Sequence, residues 1–259
     1  MGQSRSPLGV VDLELVAARG WQGLEEDRLG DWRLRAGGGF TGRANSALVV
    51  GDPGLPLEKA VDAVSQWYGA RHLQPRAMLP GAQARPADAA FAAAGWQHED
   101  DVLVLTAPIG TTQPTGGAVD QVELAATPDD AWLAGYRYRG APLPPVARKV
   151  LSSADDVVFA SIRSAPAPAP LAAVARGALT DGWLGVTAVT VAEEHRRRGL
   201  ATAVMAGLQR WAAGRGAQWV YLQVAADNAP ARALYRRAGF IEHHRYHYRL
   251  GPQPAPAPA

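Results

Sequence analysis

A stretch near the middle of the chain returns near its end. ADAAFAAAGWQHEDDVLVLTA, Ala87 to Ala107, aligns without a gap on ARALYRRAGFIEHHRYHYRLG, Ala231 to Gly251. Ala87 meets Ala231, Phe91 meets Tyr235, Gly95 meets Gly239 and Trp96 meets Phe240, always 144 positions apart, as 91 is from 235. Each copy reads as a short helix, a glycine stop, an aromatic and a strand. One such unit cannot bury its own apolar face, so the echo predicts two similar domains in tandem. A length of 259 residues, long for one domain and comfortable for two, agrees.

Hydrophobic residues make up 47% of the chain, enough for real cores. No apolar run approaches the roughly 20 residues that span a bilayer. The opening MGQSRSPLGV lacks an apolar segment of signal-peptide length. A soluble, cytoplasmic protein without a membrane partner is expected. Cysteine is absent, which excludes disulfides, thiolate-bound metals and catalysis through a cysteine thioester.

Composition marks the boundaries. PIGTTQPTGGAVD is rich in Gly, Pro and Thr and reads as an inter-domain linker at 108–120, between a first domain at 1–107 and a second at 121–250. GPQPAPAPA at 251–259 reads as a disordered tail. Within the second half, QVELAAT is a strand, while PDDAWLAGYRYR and PPVARKVLSS are helices. VVFASI and LAAVARGAL form a hairpin around the long loop SAPAPAP, and GVTAVTV is the next strand. A helix spans 199–213, with Leu200, Val204, Leu208 and Trp211 at helical spacing. WVYLQV, a short helix from near Pro230 to Gly239, and FIEHHRYHYRL complete the order. The class is α+β, each half a mixed, largely antiparallel sheet flanked by helices.

HRRRGLATAV, His195 to Val204, sets three arginines, a glycine and two alanines where an apolar strand ends and a helix begins. A helix start already carries about half a positive charge, so these cations are unfavourable there unless an anion joins them. The net charge of +2 is too small to indicate a nucleic-acid partner. Its distribution is uneven. Residues 1–110 carry 10 basic and 13 acidic side chains, and residues 111–259 carry 16 and 11. That favours a small polyanion in the second half, although a solvated basic face gives the same count. Backbone N–H groups at such a start can cradle a pyrophosphate, with Gly199 and Ala201 leaving the chain accessible.

Here the sequence resembles the GNAT superfamily of acyl-CoA-dependent N-acyltransferases. The signature is Arg196-Arg197-Arg198-Gly199-Leu200-Ala201 after VTAVTVAEEH, followed by Asn228, Tyr235 and Gly239-Phe240 in VAADNAPARALYRRAGF. The resemblance implies acetyl-CoA as cosubstrate and an amine as acceptor. It also implies that Val189 and Val191 present strand backbone to the pantetheine arm and the thioester. The amides from Arg197 through Leu200 and Ala201 to Thr202 would grip the pyrophosphate, Asn228 would bond the arm, and Tyr235 would protonate the departing thiolate. A phenol whose free pKa is about 10 can donate that proton at neutral pH. Direct transfer is expected, with the oxyanion held by backbone N–H near Val191. No Gly-x-Ser-x-Gly elbow supports an acyl-enzyme.

One departure concerns the base. Many members place a glutamate on the strand before the phosphate loop, a position that falls near Gly185 here. Asp181, Glu123 or a water relay remain as substitutes, and Glu193 and Glu194 suit solvated or capping roles. Without a base, a non-catalytic acyl-CoA sensor or scaffold is the alternative. In the first half, GDPGLPLE replaces the arginine loop, Glu58 is acidic in the first helical turn, and Phe91 lacks the hydroxyl of Tyr235. Lost cofactor binding is expected there. Arg43, Asn45 and Ser46 either face the acceptor cleft or serve a hairpin. GGGFTG, followed by a strand-like run, reads as a hairpin loop and not a dinucleotide site. Alternation puts His243 and His247 on one face of the last strand and His244 on the other, and no carboxylate pattern completes a metal site.

Overall fold

In a computed structural model of the chain, residues 6–112, 117–138, 140–164 and 169–253 are described. The first half runs α1 (Val10–Gly20), β1 (Glu25–Leu29), β2 (Trp32–Ala36), β3 (Ala47–Leu48), α2 (Leu57–Gly69), β4 (Arg76–Pro80), α3 (Arg85–Ala93) and β5 (Gln97–Pro108). The second runs β6 (Glu123–Ala125), α4 (Asp130–Gly135), α5 (Ala147–Leu151), β7 (Val157–Arg163), β8 (Leu171–Thr180) and β9 (Trp183–Val191). It ends with α6 (Leu200–Ala213), β10 (Trp219–Ala225), α7 (Ala229–Arg237) and β11 (Ile241–Leu250).

The repeat forms as its sequence predicts. Both α3 and α7 carry proline in the first turn, where no backbone N–H is needed. Both stop before a left-handed glycine, Gly95 at φ 81 and Gly239 at φ 86. The two strands that follow, β5 and β11, pair antiparallel with each other. Each then joins the other half. β5 pairs with β10 from Pro108↔Trp219 to Val102↔Ala225, and β11 pairs with β4 from Pro80↔Tyr246 to Arg76↔Leu250. The last strands of the two copies are therefore exchanged. One 11-stranded sheet results, in the order β1-β2-β3-β4-β11-β5-β10-β9-β8-β7-β6. Only β3/β4 and β9/β10 are parallel, each joined through a helix, α2 or α6.

Apolar faces follow this order. α6 packs Val204, Met205 and Leu208 on Leu184, Val186 and Leu222, and the first half does the same with Val61 and Val64 on Ala47 and Leu79. The helix α1 lies across the junction, where Leu13 and Val16 share a core with Met78, Val104, Tyr221 and Tyr246. A polar chain locks it there. Glu14, 1% exposed, bonds His244 Nε2 at 2.8 Å; the Nδ1 atoms of His243 and His244 lie 2.7 Å apart, and His243 Nε2 reaches the Leu8 carbonyl at 2.9 Å. A carbonyl only accepts, so His243 Nε2 carries a proton, and each of the other two contacts needs one. Three shared protons leave the Glu14–His244–His243 group neutral, which makes its burial tolerable.

Several expectations are corrected. A register slip between Glu242 and His244 turns His243 toward Leu8, while His247 bonds Asp88 at 2.9 Å, so His243 and His247 do not share a face. The described ends of the expected linker pack on α6. Gln209 accepts from Gly110 N at 2.9 Å and donates to Thr112 Oγ1 at 2.5 Å. The middle of that stretch, 113–116, lies outside the described residues, as does 165–168 of the SAPAPAP loop. Gly251, placed in the expected tail, is buried and its N–H bonds the Pro75 carbonyl at 2.9 Å; 254–259 lie outside the described residues. Among the described residues no helix is long and apolar enough to cross a membrane.

Because the chain contains no cysteine, the exchange can be tested by one engineered pair. Ala77→Cys with Arg249→Cys, register partners across β4 and β11, is expected to form an intrachain disulfide under mild oxidation. Its absence, with Ala77→Cys instead linking to a cysteine placed on β5, would mean that each half keeps its own last strand.

Candidate active site

Backbone pairing decides where the site lies. β9 and β10 run together from Trp183↔Trp219 to Val186↔Leu222 and then part. Beyond that point β9 pairs only with β8, through Val174↔Thr190 and Ala173↔Val191, and β10 only with β5, from Gln223↔Val104 to Ala225↔Val102. Ala188, at φ 55, sits where the register to β8 slips, and the bulge bends β9 away. Main-chain groups of the Thr187–Val191 stretch are thus left without a β10 partner. A cavity of about 260 Å³ occupies this wedge, bordered by Thr187, Val189, Asn228, Tyr235, Tyr136 and Arg43. A second, of about 370 Å³, adjoins it through Arg43, Tyr138, Gln223 and Ala225 and adds Asp227, Tyr246 and Tyr248.

The turn from β9 into α6 is open in the way an anion site requires. Arg196 is extended, and Arg197 (φ 61) and Gly199 (φ 78) are left-handed. The first backbone bond of α6 runs from Ala203 N to Gly199 O at 3.0 Å, and the amides from Arg197 to Thr202 have no partner among the described residues. Arg196 faces Glu193 at 3.8 Å; Arg197 and Arg198 are exposed and make no ion pair among the described residues. Consecutive free N–H groups in alternating hand form a concave electropositive nest.

Tyr235 and Val189 line the wedge together with Asn228, whereas Val191 and the run Arg196, Arg197, Arg198, Gly199, Leu200, Ala201, Thr202 continue the chain beyond the cavity wall. Tyr235 is 8% exposed and its hydroxyl bonds to nothing among the described residues. Burial pushes it up to about 12, so it holds its proton at neutral pH. Asn228 caps α7, its carbonyl oxygen accepting from Ala231 N at 3.1 Å, which leaves its amide nitrogen for other bonds.

The absent strand carboxylate has a steric cause. A Cβ on Gly185 would lie 2.6 Å from Cζ of Tyr221, whose ring covers that position. Neither sequence-level substitute is near. Asp181 occupies the β8–β9 turn in an ion pair with Arg19, and Glu123 sits on the edge strand 3.4 Å from Arg163. Among the described residues lining the two cavities, Asp227 is the only carboxylate. Sequence reasoning passed over it because it adjoins the more conspicuous Asn228.

Of the three first-half candidates, only Arg43 enters the cleft. Its Nη1 donates to Gln223 Oε1 at 3.0 Å, and its guanidinium lies 4.7 Å from the Trp21 ring centroid. Asn45 ties the GGGFTG loop, accepting from Gly37 N at 2.8 Å and Gly39 N at 2.9 Å and donating to the Phe40 and Thr41 carbonyls. Ser46 is buried against Arg35.

A sheet that parts between two parallel strands, above a helix start with free amides, defines a GNAT-fold N-acetyltransferase. The chain belongs to the family described as "Probable histone acetyltransferase Rv0428c C-terminal", whose model matches residues 9–249. It is 33% identical over 248 residues to the probable histone acetyltransferase Rv0428c of Mycobacterium tuberculosis, covering 91% of this chain and 72% of that protein. It is 26% identical to the uncharacterized N-acetyltransferase YobR of Bacillus subtilis, covering 92% of this chain and 97% of that one. A solved tandem GNAT protein from the clavulanic acid biosynthesis pathway shares the fold, with a TM-score of 0.60 at 17% identity over 85% of this chain and 77% of that chain. GNAT acetyltransferases in general use acetyl-CoA.

The fit of Tyr221 over Gly185 is checkable by stability. Gly185→Ala forces the ring aside and is expected to cost about 1–3 kcal/mol, read from the denaturation midpoint. In a Tyr221→Ala background the same change should cost close to nothing.

Proposed function

We propose that residues 121–250 transfer an acetyl group from acetyl-CoA directly to an amine in a ternary complex. Residues 1–107 hold no cofactor and build one wall of the acceptor cavity. What supports this reading is a wedge lined by Val189, Asn228 and Tyr235 on the strand whose chain leads on to the free amides at the start of α6. Acetyl-CoA, when bound, supplies an acetyl group activated as a thioester.

The chain's residues then divide the work. The amides from Arg197 to Thr202 take the pyrophosphate and Arg196, Arg197 and Arg198 neutralise it, which turns an unfavourable cluster into a favourable one. Unpaired backbone at Val189 and Val191 and the Asn228 amide hold the pantetheine arm and orient the thioester carbonyl. N–H groups near Val191 stabilise the oxyanion as the amine attacks. Asp227 accepts the amine proton, and Tyr235 gives its own to the departing thiolate.

Three measurements test this. Tyr235→Phe should lower kcat by about 10²–10⁴-fold and leave the KM for acetyl-CoA nearly unchanged. Because burial raises the phenol to about 12, the protonated acid persists through the range where a free tyrosine ionises, about pH 10. The alkaline limb of kcat in the parent enzyme should therefore lie above pH 10, as far as the fold survives. Arg198→Glu should weaken coenzyme A binding in calorimetry. Binding without thiol release from any amine would instead identify a sensor or scaffold.

A further inference from the structure

Two arginines meet on one indole ring, and neither has a carboxylate partner among the described residues. Arg43 and Arg176 lie 4.7 and 4.8 Å from the centroid of Trp21, a ring 2% exposed and fixed by its Nε1 donating to Thr41 Oγ1 at 3.0 Å. Arg176 is 0% exposed. Its Nε donates to the Leu151 carbonyl at 2.6 Å, while Nη1 and Nη2 are covered and have no hydrogen-bond partner. The ionisable groups acting on it are Tyr221, Tyr136 and Arg43, none of them a carboxylate. Burial pulls it down to about 9, which leaves it charged at neutral pH. A buried cation without a counter-ion is strongly unfavourable. The nearest buried carboxylate, Glu14, is already taken by His244.

The charge is placed toward the acceptor side of the wedge. Arg176 is the cross-strand partner of Thr187, so the two share a face, and Thr187 lines the cavity with its Oγ1 buried and unpartnered. Tyr136 borders the same cavity, and burial raises its hydroxyl to about 12, making it a donor. Arg43 spends only Nη1 on Gln223, leaving further N–H groups of a planar fork. Asp227 lines the adjoining cavity, which Arg43 also borders, and the two make no ion pair among the described residues. The pattern is two adjoining cavities that share Arg43, one lined by the donors of Thr187 and Tyr136 and the other by the carboxylate of Asp227.

Resting on the acetyltransferase reading, we propose that the acceptor is a small amino-carboxylate. Its carboxylate is held by Arg43, Thr187 and Tyr136 over the field of Arg176, and its amine is directed to the thioester beside Asp227. In the transfer, the amine nitrogen forms the bond to the acetyl carbon, the carbon–sulfur bond breaks, one amine proton leaves to Asp227, and the thiolate takes a proton from Tyr235. Carboxylate is favoured because two N–H donors of one guanidinium match its two oxygens.

The test is a thiol-release assay with free amino acids, their carboxamides, aminoalkyl phosphates and a lysine-containing peptide. Free amino acids should exceed their carboxamides in kcat/KM on the order of 100-fold. Arg43→Gln should collapse that ratio to a few-fold, and carboxamide turnover should fall far less. Arg176→Met should raise the KM for the amino acid while the melting temperature holds or rises, since an unanswered buried cation is removed; a structural arginine would lower it. Equal turnover of carboxamides, or preference for the phosphates or the peptide, would overturn the proposal and leave the transferase reading standing. If no amine is acetylated that reading fails, and calorimetry of the amino acids on the coenzyme A complex decides the rest. Arg43-dependent binding supports the carboxylate site, and none removes it.

Discussion

The exchange of β5 and β11 is the constraint on which the rest depends. Had each half kept its own last strand, the β5–β11 ladder alone would join the two sheets; exchanged, each last strand is built into the other half's sheet as well. With β11 bonded to β4 on one side and β5 on the other, and β5 bonded in turn to β10, backbone hydrogen bonds run without a break from β1 to β6. The GGGFTG loop of the first half is thereby fixed against β10 of the second. Arg43 can then reach Gln223 across the junction, and Trp21 can sit against Arg176. The duplication that the sequence shows at Ala87 and Ala231 is what makes the exchange possible, since either strand suits either sheet.

The second constraint is local. β9 has to leave β10 after Val186, and a bulge at Ala188 achieves this without breaking its bonds to β8. Opening the wedge exposes backbone groups for a ligand and leaves the neighbouring paired segment to be filled from α1's side of the sheet. Tyr221 does that by lying over Gly185. The family's usual strand carboxylate cannot be accommodated under that ring, and among the described residues the one acidic side chain lining these two cavities comes from the turn after β10 instead. In the mechanism proposed above, that side chain, Asp227, is the base.

Much of the second half was legible because its elements are long and periodic. β7, β8, β9, α6, β10, α7 and β11 fall where apolar spacing and glycine stops place them. The helices read across PDDAWLAGYRYR and PPVARKVLSS shrink to Asp130–Gly135 and Ala147–Leu151, because clustered prolines and glycines shorten both. The strand exchange was invisible: register partners across a repeat are equivalent by sequence, so no pattern tells β5 from β11. The face reading of His243 failed for the same kind of reason, since a bulge leaves no trace in alternation. The acceptor wall was half legible. Arg43 stood out in a polar stretch. A lone arginine in LAAVARGAL was also a signal, because a strand otherwise apolar on both faces offers it no solvated side.

Comparison of the two copies shows what separates a site from a core. In the first, β3 and β4 do not open: the bridge Leu48↔Met78 is continued by Val49 N donating to the Met78 carbonyl at 3.0 Å, and Gln83 Nε2 donates to the Val49 carbonyl at 3.0 Å. The backbone that stays free at Val189 is used up at Val49. Phe91, at the place of Tyr235, is 0% exposed and packs between Trp32 at 5.9 Å and Trp96 at 4.6 Å. Both tryptophan rings close on Phe91, whereas Tyr235 borders an open cavity. The same fold can therefore present an open wedge or a closed one, depending on whether its two parallel strands part, as β9 and β10 do after four pairs, or stay tied, as β3 and β4 do through Val49. On the reading proposed above, the closed copy serves as a rigid wall for the other, which keeps the Arg43 side of the cavity in place.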